Sequence, residues 1–449
     1  MTTTKRNDAF APTKDVGEAW RRCDPTRPLQ GEPLKHWYVD CSKERGAEGF
    51  VDHLRDRIIV ATDPSSSGDA IGRVLVSGHK GTGKSTELRR LEGKLSERGY
   101  FVVFVDLVRD VTADQLDAER VVTTILRQAL EILKARRLPT ADRALVAVHR
   151  LFARHVREET TAGEGEVKVS AEVGAGGRLA GLLSLMARGT GSVRRTTSGR
   201  TVLTWEYRSD VGELSEHLNS VLITASVAAQ RRKSSPHGLV LIVDGFDRIE
   251  SEDLQNEVFL DFGEFLAGLS VHKVLTVPIS LVCSPRHRTI CETFGVAQVD
   301  MLPSVQVETP DGLTRAREVI LRRCHQSLFD GAALDMLCQM SGGDIRHLMT
   351  LAQEALAQAV TGHVTGKEAT AAVEALSRSF AVWLGEPEFE ELAKYDAKRS
   401  IPPVHEVGLP LLYASAILCY SNGEPWYRVH PAVRRLSTFE CFRDAAGSR

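Results

Sequence analysis

Short apolar runs alternate with amphipathic stretches along much of the chain, and this order predicts an α/β fold. Nearly continuous apolar runs at 73–76, 100–106 and 239–243 are typical of strands that are buried on both faces of a parallel sheet. Further strands are predicted at 275–283 and near 299–307. Stretches with apolar residues at helical spacing separate these runs, so we expect helices between the strands.

The pattern is interrupted between residues 157 and 207. Residues 166–173 alternate polar and apolar, and 201–207 form a second strand candidate, which together predict an inserted hairpin. Its apolar tip, near 179–186, would either dock on a partner or a membrane surface, or form a small core packed on the main domain. The packed core is the favoured interpretation.

Beyond residue 314 the pattern is helical to about residue 376, and Thr365 with Glu368 forms a capping box within it. A strand-like pair then flanks a turn at 420–425, which predicts a winged-helix-like end domain. The predicted organisation is an N-terminal arm and lead-in at 1–60, a core at 61–310, a helical lid at 311–377 and the winged-helix-like domain at 378–449.

Composition narrows the class of protein. The 449 residues are 42% hydrophobic and 26% charged, and the net charge of -2 gives no global basic field for nucleic acid. The eight cysteines form no CxxC pair, which indicates reduced thiols and no structural zinc. No apolar signal region or membrane-length stretch is found, so we expect a cytoplasmic protein without a membrane span.

Residues 78–85 read Gly-His-Lys-Gly-Thr-Gly-Lys-Ser and fit the pattern GxxxxGK[ST] at every defined position. A chance glycine-rich turn is the alternative, but an apolar strand precedes this loop and an amphipathic helix follows it. Lys84 would bridge the β- and γ-phosphates, and the Ser85 hydroxyl would ligate Mg²⁺. The residues expected to bind the nucleotide are Gly78, Lys80, Gly81, Thr82, Gly83, Lys84, Ser85 and Thr86.

Two acids follow the apolar run at 239–243. Asp244 would emerge at the carboxyl edge of the sheet beside the phosphate loop, where it would hold Mg²⁺. Asp247 lies just beyond the strand end and is the candidate for polarising the attacking water, with a helix N-cap as the alternative.

The segment Val-Asp244-Gly-Phe-Asp247 resembles the second motif of the STAND and NACHT-type ATPases, within the wider AAA+ group. In that motif a small residue follows the Mg²⁺ aspartate and another acid follows shortly. Gly245 stands where typical AAA+ enzymes have a glutamate. The resemblance therefore implies a slow, switch-like ATPase.

Two further positions resemble AAA+ sensor residues. Ser284 and Arg286 follow the predicted strand 275–283, similar to the polar sensor at the end of the fourth strand. Arg346 lies in a Gly-Asp-Ile-Arg segment that resembles the lid of initiator-type AAA+ proteins, whose arginine reaches the γ-phosphate. The resemblance implies catalytic roles for Arg346 and Arg286. The alternative for Arg346 is that it is an exposed residue of the first helical turn or that it pairs with Asp344.

The number and order of strands favour an additional-strand P-loop NTPase, an α/β fold with a parallel sheet, a helical lid and the C-terminal winged-helix-like domain. No NKxD-like guanine motif is present, so ATP with Mg²⁺ is the expected cofactor pair.

Three functions remain open at this point. The first is a conformational switch that works with a protein partner or effector, oligomerises on nucleotide binding and, by resemblance, serves bacterial antiviral defence or stress signalling. The second is an initiator-like DNA-binding ATPase that uses Arg428, Arg434 and Arg435. The third is a scaffold that binds ATP without hydrolysing it.

Overall fold

The structure of the protein is a computed structural model. It describes residues 9–62, 71–109, 116–139, 146, 216–397 and 407–447. The predicted insertion at 157–207 lies outside these residues.

Five parallel strands form the central sheet. Their bounds are β1 (Arg73–Ser77), β2 (Phe101–Asp106), β3 (Leu239–Asp244), β4 (His272–Thr276) and β5 (Asp300–Met301). The spatial order is β2-β3-β4-β1-β5, so β4 lies between the strand that enters the phosphate loop and the strand that ends in Asp244. This is the additional-strand arrangement, and the predicted α/β fold class is confirmed.

The helices before residue 300 belong to an N-terminal arm and to the layers that cover the sheet. The arm contains α1 (Val16–Arg22) and α2 (Gly31–Trp37). The covering helices are α3 (Phe50–Ala61), α4 (Lys84–Glu97), α5 (Ala118–Ala135), α6 (216–230), α7 (Glu252–Asn256), α8 (Gly263–Gly268), α9 (Ile279–Val282) and α10 (Arg286–Phe294).

Successive strand residues point in opposite directions, so each strand presents side chains to both faces of the sheet. Helices pack on both faces and bury these side chains. In β1, Leu75 belongs to the cluster that includes α5 and α6, whereas Val74 and Val76 belong to the cluster that includes α3 and α4. This three-layer packing explains why the strands are continuously apolar, and it leaves the carboxyl ends of the strands as the edge where polar groups meet.

The lid and the C-terminal segment share a separate core with the arm. The lid helices are α11 (Pro310–Leu321), α12 (Gly331–Met340), α13 (Ile345–Gln358) and α14 (Gly366–Ala381). The predicted capping box of Thr365 and Glu368 is present at the start of α14. None of the described helices is long and apolar enough to cross a membrane.

The C-terminal part contains a hairpin between helices, as a winged-helix-like unit requires. Its elements are α15 (Glu386–Ala397), α16 (Gly408–Tyr413), β6 (Ile417–Ser421), β7 (Pro425–Val429), α17 (Pro431–Arg434) and α18 (Ser437–Gly447). The two strands pair antiparallel around the predicted turn. Residues 407–447 are called the C-terminal segment below.

Two strand predictions were wrong in their bounds. The strand predicted at 275–283 begins at His272 and ends at Thr276, and residues 279–282 are helical. The sequence prediction missed the start of this strand because the start contains the polar residue Lys273. Lys273 is buried within the strand, where its ammonium donates to the carbonyl of Ala267 at 2.6 Å. Pro278 then ends the strand, since proline cannot donate to a ladder. The strand predicted near 299–307 is only two residues long and ends before Pro303 for the same reason.

Candidate phosphate-binding and catalytic site

The phosphate loop joins β1 to α4, as its sequence predicts. Gly78, Gly81 and Gly83 have φ values of 143°, 99° and 100°, which non-glycine residues rarely adopt. The ammonium of Lys84 is buried and donates to the carbonyls of Gly78 and His79 at 2.8 and 2.6 Å. The loop is therefore folded around its lysine.

Asp247 lies directly opposite that lysine. Its Oδ2 is 2.8 Å from Lys84 Nζ, and the two side chains are only 10% and 3% exposed. Burial raises the pKa of Asp247, but the ion pair with Lys84 outweighs it and holds the pKa below its usual range. Asp247 is part of a one-turn 3₁₀ helix, Phe246–Arg248, whose N-cap is Gly245, so its carboxylate does not cap that helix. The ion pair with Lys84 keeps the carboxylate ionised.

Asp244 ends β3 and is buried, and the nearby hydroxyl of Ser85 opposes the effect of burial on its carboxylate. Burial, aided by the charge of Asp247, raises the pKa of Asp244 to about 6. Its Oδ1 is buried and has no hydrogen-bond partner among the described residues. A hydroxyl and an unpaired carboxylate oxygen are the hard oxygen ligands that Mg²⁺ prefers, so these residues fit the ion. Ser85 and Asp244 would hold it, and the ion would neutralise phosphate charge.

Thr276 is the polar residue at the end of the strand between β1 and β3. Its Oγ1 accepts hydrogen bonds from the backbone N–H groups of Gly245 and Phe246, both at 3.1 Å. It therefore holds the turn that connects Asp244 to Asp247. The sequence prediction missed Thr276 because it placed the strand end at residue 283, although Pro278 was a usable signal.

Arg286 and Ser284, the predicted sensor residues, lie farther along the chain. Arg286 begins α10 and its guanidinium pairs with Glu252 in α7. Ser284 is buried and donates to the carbonyl of Leu281 at 2.8 Å. Among the described residues, no hydrogen bond or ion pair joins Ser284 or Arg286 to Lys84 or Asp247. A catalytic role for Arg286 stays a prediction, and Thr276 occupies the strand-end position that the sensor resemblance describes.

The start of α13 in the lid lies on the phosphate loop. The N–H of Arg346 donates to the carbonyl of Gly81 at 3.1 Å, and its positive charge is among those that lower the pKa of Asp247. Asp344 Oδ1 accepts from the N–H of His347 and caps the helix, and no ion pair between Asp344 and Arg346 is found among the described residues. A Cβ on Gly81 would lie 2.4 Å from Asp344 Oδ1, which explains the glycine. The predicted role of Arg346 is consistent with this position and stays a prediction.

The C-terminal segment also contacts the loop, through two residues that GxxxxGK[ST] leaves undefined. The backbone N–H of Cys419 donates to His79 Nε2 at 2.8 Å, so Nδ1 carries the proton and donates to the carbonyl of Leu412 at 3.0 Å. Burial lowers the pKa of His79 to about 4, despite the nearby carboxylate of Asp344, and the ring is neutral. Lys80 pairs with Glu250 and lies 4.0 Å from the ring centre of Tyr413.

The arm contacts the other side of the loop. Arg45 is buried and donates to the carbonyls of Thr82 and Pro303 at 2.7 and 2.6 Å. The hydroxyl of Thr86 accepts from the N–H of Leu29 at 3.2 Å, so this predicted nucleotide residue is engaged with the arm. No local pattern marks Arg45, because its partners are distant in the sequence.

The phosphate loop, Asp244 and Asp247 lie within the range of a known family. Residues 52–260 match the profile of the family described as AAA ATPase domain. No curated protein matches the sequence.

Several solved structures resemble the chain at low identity. A Walker-type ATPase of Pyrococcus abyssi is 12% identical with a TM-score of 0.42, over 94% of this chain and 99% of that one. Cdc6p from Pyrobaculum aerophilum is 12% identical with a TM-score of 0.36, over 91% and 99%. The Orc1 protein of Aeropyrum pernix, solved in complex with DNA, is 14% identical with a TM-score of 0.37, over 95% and 96%. At these values the likeness does not reveal what this chain binds.

The family match covers the elements that form the site. It includes β1, the phosphate loop, α4 and the acidic end of β3. A buried loop lysine, a loop serine and two acids, one at the end of β3 and one just beyond it, are the residue types that a nucleoside triphosphate and its metal ion require. Residues 52–260 of this chain are therefore an AAA+ P-loop ATPase domain.

Proposed function

We propose that the protein is an ATP-binding, slowly hydrolysing ATPase that acts as a conformational switch in a multi-protein assembly. The observation that carries this proposal is the position of His79. This loop residue hydrogen-bonds both α16, through Leu412, and β6, through Cys419. A change of the loop that accompanies phosphate binding therefore acts directly on the C-terminal segment.

The lid supplies a second connection to the same loop. Arg346 bonds Gly81 through its backbone, and the hydroxyl of Tyr420 in β6 donates to the carbonyl of Gly342 at 2.7 Å. His430 Nε2 lies 3.2 Å from the carbonyl of Ser341 in the same α12–α13 connection. The loop, the lid and the C-terminal segment thus form one connected polar network, which is what a nucleotide-controlled switch needs.

Slow hydrolysis is proposed from the backbone at Gly245. This residue has a φ of 107°, in the left-handed region that favours glycine, and a Cβ there would lie 3.3 Å from Leu107 Cβ. A glutamate at this position would be strained in this backbone. Asp247, held by Lys84, is the acid proposed to polarise the attacking water.

The test measures hydrogen exchange in the C-terminal segment together with ATP turnover. ATP should change the protection of amides in β6 relative to ADP, and Lys84→Ala should remove this difference because the loop no longer binds the triphosphate firmly. Arg89→Ala, on the same helix and partly exposed, is the control. Identical exchange with ATP, ADP and no nucleotide would contradict the switch.

Turnover separates the switch from a scaffold. Phosphate release should be slow in the wild type and at background in Lys84→Ala and Asp247→Asn. Equal background release from all three proteins, together with tight ATP binding by the wild type, would support the non-hydrolysing scaffold instead.

The initiator-like alternative receives less support from the C-terminal arginines. Arg428 pairs with Glu308 and its side chain is only 13% exposed. Arg434 pairs with Asp396 at 3.1 Å. Two of the three arginines proposed to meet phosphates are therefore engaged within the protein. A salt-dependent mobility shift of a mixed-sequence duplex, reduced by Arg435→Ala, would favour the alternative.

The biological process is proposed from the family resemblance alone. We place the switch in bacterial antiviral defence or stress signalling, with oligomerisation on nucleotide binding and a protein effector as its output. The test is expression with the neighbouring genes in a bacterial host challenged with phage. Protection that depends on Lys84 supports the proposal, and equal sensitivity with wild type and Lys84→Ala contradicts it.

A further inference from the structure

Two cysteines that are far apart in the sequence meet where the N-terminal arm lies on the lid. Cys23 follows α1 and Cys324 follows α11, and both residues are fully buried. Their sulfur atoms are 3.5 Å apart. Backbone hydrogen bonds from Thr13 to Arg323 at 3.1 Å and from His325 to Thr13 at 2.8 Å hold the two segments side by side.

The surroundings of this pair are positively charged. Arg323 is buried, and its guanidinium donates to the carbonyl of Val319 and lies 5.8 Å from the ring centre of Trp37. Within the described part of the chain it has no ion pair with a carboxylate. A buried cation without a countercharge stabilises a neighbouring anion. A thiolate at Cys23 supplies such an anion.

Either sulfur of the pair can be the hydrogen-bond donor. The hydrogen bond stabilises the thiolate of whichever cysteine accepts it, burial opposes ionisation, and the charges of Arg323 and Arg22 favour ionisation of both thiols. Whichever cysteine is deprotonated is therefore the nucleophile, and the other thiol donates to it.

We propose that Cys23 and Cys324 are a redox modification site that forms a reversible disulfide when the protein meets a peroxide. The thiolate of one cysteine attacks hydrogen peroxide, the O–O bond breaks, a proton converts the leaving hydroxide to water, and that cysteine becomes a sulfenic acid. The sulfur of the other cysteine then attacks the sulfenic sulfur, and its proton leaves with the hydroxyl as a second water. Two thiols are oxidised and one peroxide is reduced, so the step balances.

Little movement is needed to close this bond. A disulfide has a sulfur–sulfur distance of about 2.05 Å, so the two atoms must approach by about 1.5 Å. Because both sulfurs are buried, the peroxide reaches them when the arm lifts from the lid. The oxidation is therefore slower than that of the exposed Cys441 in α18.

The disulfide would attach the lid to the phosphate-loop helix through the arm. Beyond Cys23 the arm contacts α4 at two points. The N–H of Leu29 donates to the hydroxyl of Thr86, and the Tyr38 hydroxyl donates to Glu87 at 3.1 Å. A covalent bond at Cys23 restricts movement of the lid relative to that helix. This consequence rests on the proposed switch, whereas formation of the disulfide does not.

The first experiment maps disulfides in the full wild-type chain after titration with hydrogen peroxide. A non-reduced digest should contain the Cys23 peptide joined to the Cys324 peptide, two hydrogens lighter than the sum, and dithiothreitol should separate them. Prior substitution Cys441→Ser removes links between chains and should leave this product unchanged. Absence of the joined peptide after prolonged exposure to excess peroxide, with Cys23 and Cys324 still reactive toward an alkylating reagent after unfolding, would overturn the proposal.

The second experiment measures release of a fluorescent ADP analogue before and after oxidation. Release should slow by about fivefold or more, and dithiothreitol and Cys324→Ser should each abolish the effect. A joined peptide with unchanged release would reject the regulatory consequence while keeping the modification site. Failure of every form to bind the analogue would instead reject the proposed nucleotide function.

Discussion

Lys84 Nζ lies 2.8 Å from Asp247 Oδ2 at the centre of the phosphate loop, and both side chains are almost completely buried. The residue expected to bind the β- and γ-phosphates is thus paired with the acid expected to act on the attacking water. We expect phosphate that binds in the loop to compete with Asp247 for Lys84 and to release the carboxylate. The state of Asp247 would then depend on the nucleotide.

Replacing Asp247 by asparagine should abolish most of the turnover. The amide keeps the shape but cannot accept the proton of an attacking water, so phosphate release should fall about a hundredfold or to background. Loss of the buried ion pair should also lower the free energy of unfolding by about 1–3 kcal/mol. Steady-state phosphate release and urea unfolding measure these effects.

The matched control for that variant is Asp253→Asn, at an exposed position in α7. It should change neither turnover nor stability. Wild-type turnover in Asp247→Asn, with the fold intact, would remove Asp247 from the catalytic proposal.

Asp244→Asn should stabilise the nucleotide-free protein at neutral pH. The folded state raises the pKa of Asp244 from 3.8 to about 6, so its stabilising contribution is full below about pH 4 and is lost as the pH rises through 6. At pH 7.5 the buried charge therefore costs about 1–3 kcal/mol, which asparagine removes. Urea unfolding at pH 7.5 and pH 4.5 should show a gain that shrinks with acid.

The same variant should lose the extra stability that magnesium adds to the ATP complex. This opposite effect separates a metal-ligating acid from a purely structural one. If Asp244→Asn is destabilising at pH 7.5 and still responds to magnesium, the assignment of Asp244 as a ligand is wrong.

Thr276→Val should weaken the turn that carries Asp247. Valine has nearly the same shape but leaves the N–H groups of Gly245 and Phe246 without their acceptor, which costs about 1–3 kcal/mol of stability. Turnover should fall with it, because Asp247 is no longer held in place. Thr276→Ser keeps the hydroxyl and should retain most of the stability and most of the turnover. Equal losses in the two variants would indicate that Thr276 acts through side-chain packing and not through its hydroxyl.

His79→Ala should uncouple the C-terminal segment from the loop without removing nucleotide binding. The substitution leaves the Leu412 carbonyl and the Cys419 N–H without their partner, so amides in β6 should exchange faster. ATP affinity should change little, because backbone N–H groups of the loop and Lys84, rather than His79, are the groups expected to contact the phosphates. His53→Ala, with a 61% exposed side chain, is the control. Unchanged exchange in β6 would contradict the coupling.

Much of the core was predictable from local patterns. The apolar runs of β1, β2 and β3 reflect strands buried on both faces, the phosphate loop is defined by closely spaced residues, and the capping box at Thr365 involves residues three positions apart. Each of these signals arises from neighbours in the sequence. The fold class and the positions of Lys84, Ser85 and Asp244 at one edge of the sheet follow from them.

Contacts between segments that are distant in the sequence leave no pattern among neighbouring residues. The polar start of β4 contains Lys273, which is buried by a contact that the apolar pattern does not show, and the prediction then ran past Pro278 and missed Thr276, which holds the turn after Asp244. His79 meets the C-terminal segment more than 300 residues away, and Cys23 meets Cys324 at a similar separation. Such pairs form only when packing of the sheet, the lid and the arm brings their backbones together. Local residue chemistry therefore predicted the phosphate loop, whereas long-range packing determines which other residues contact it.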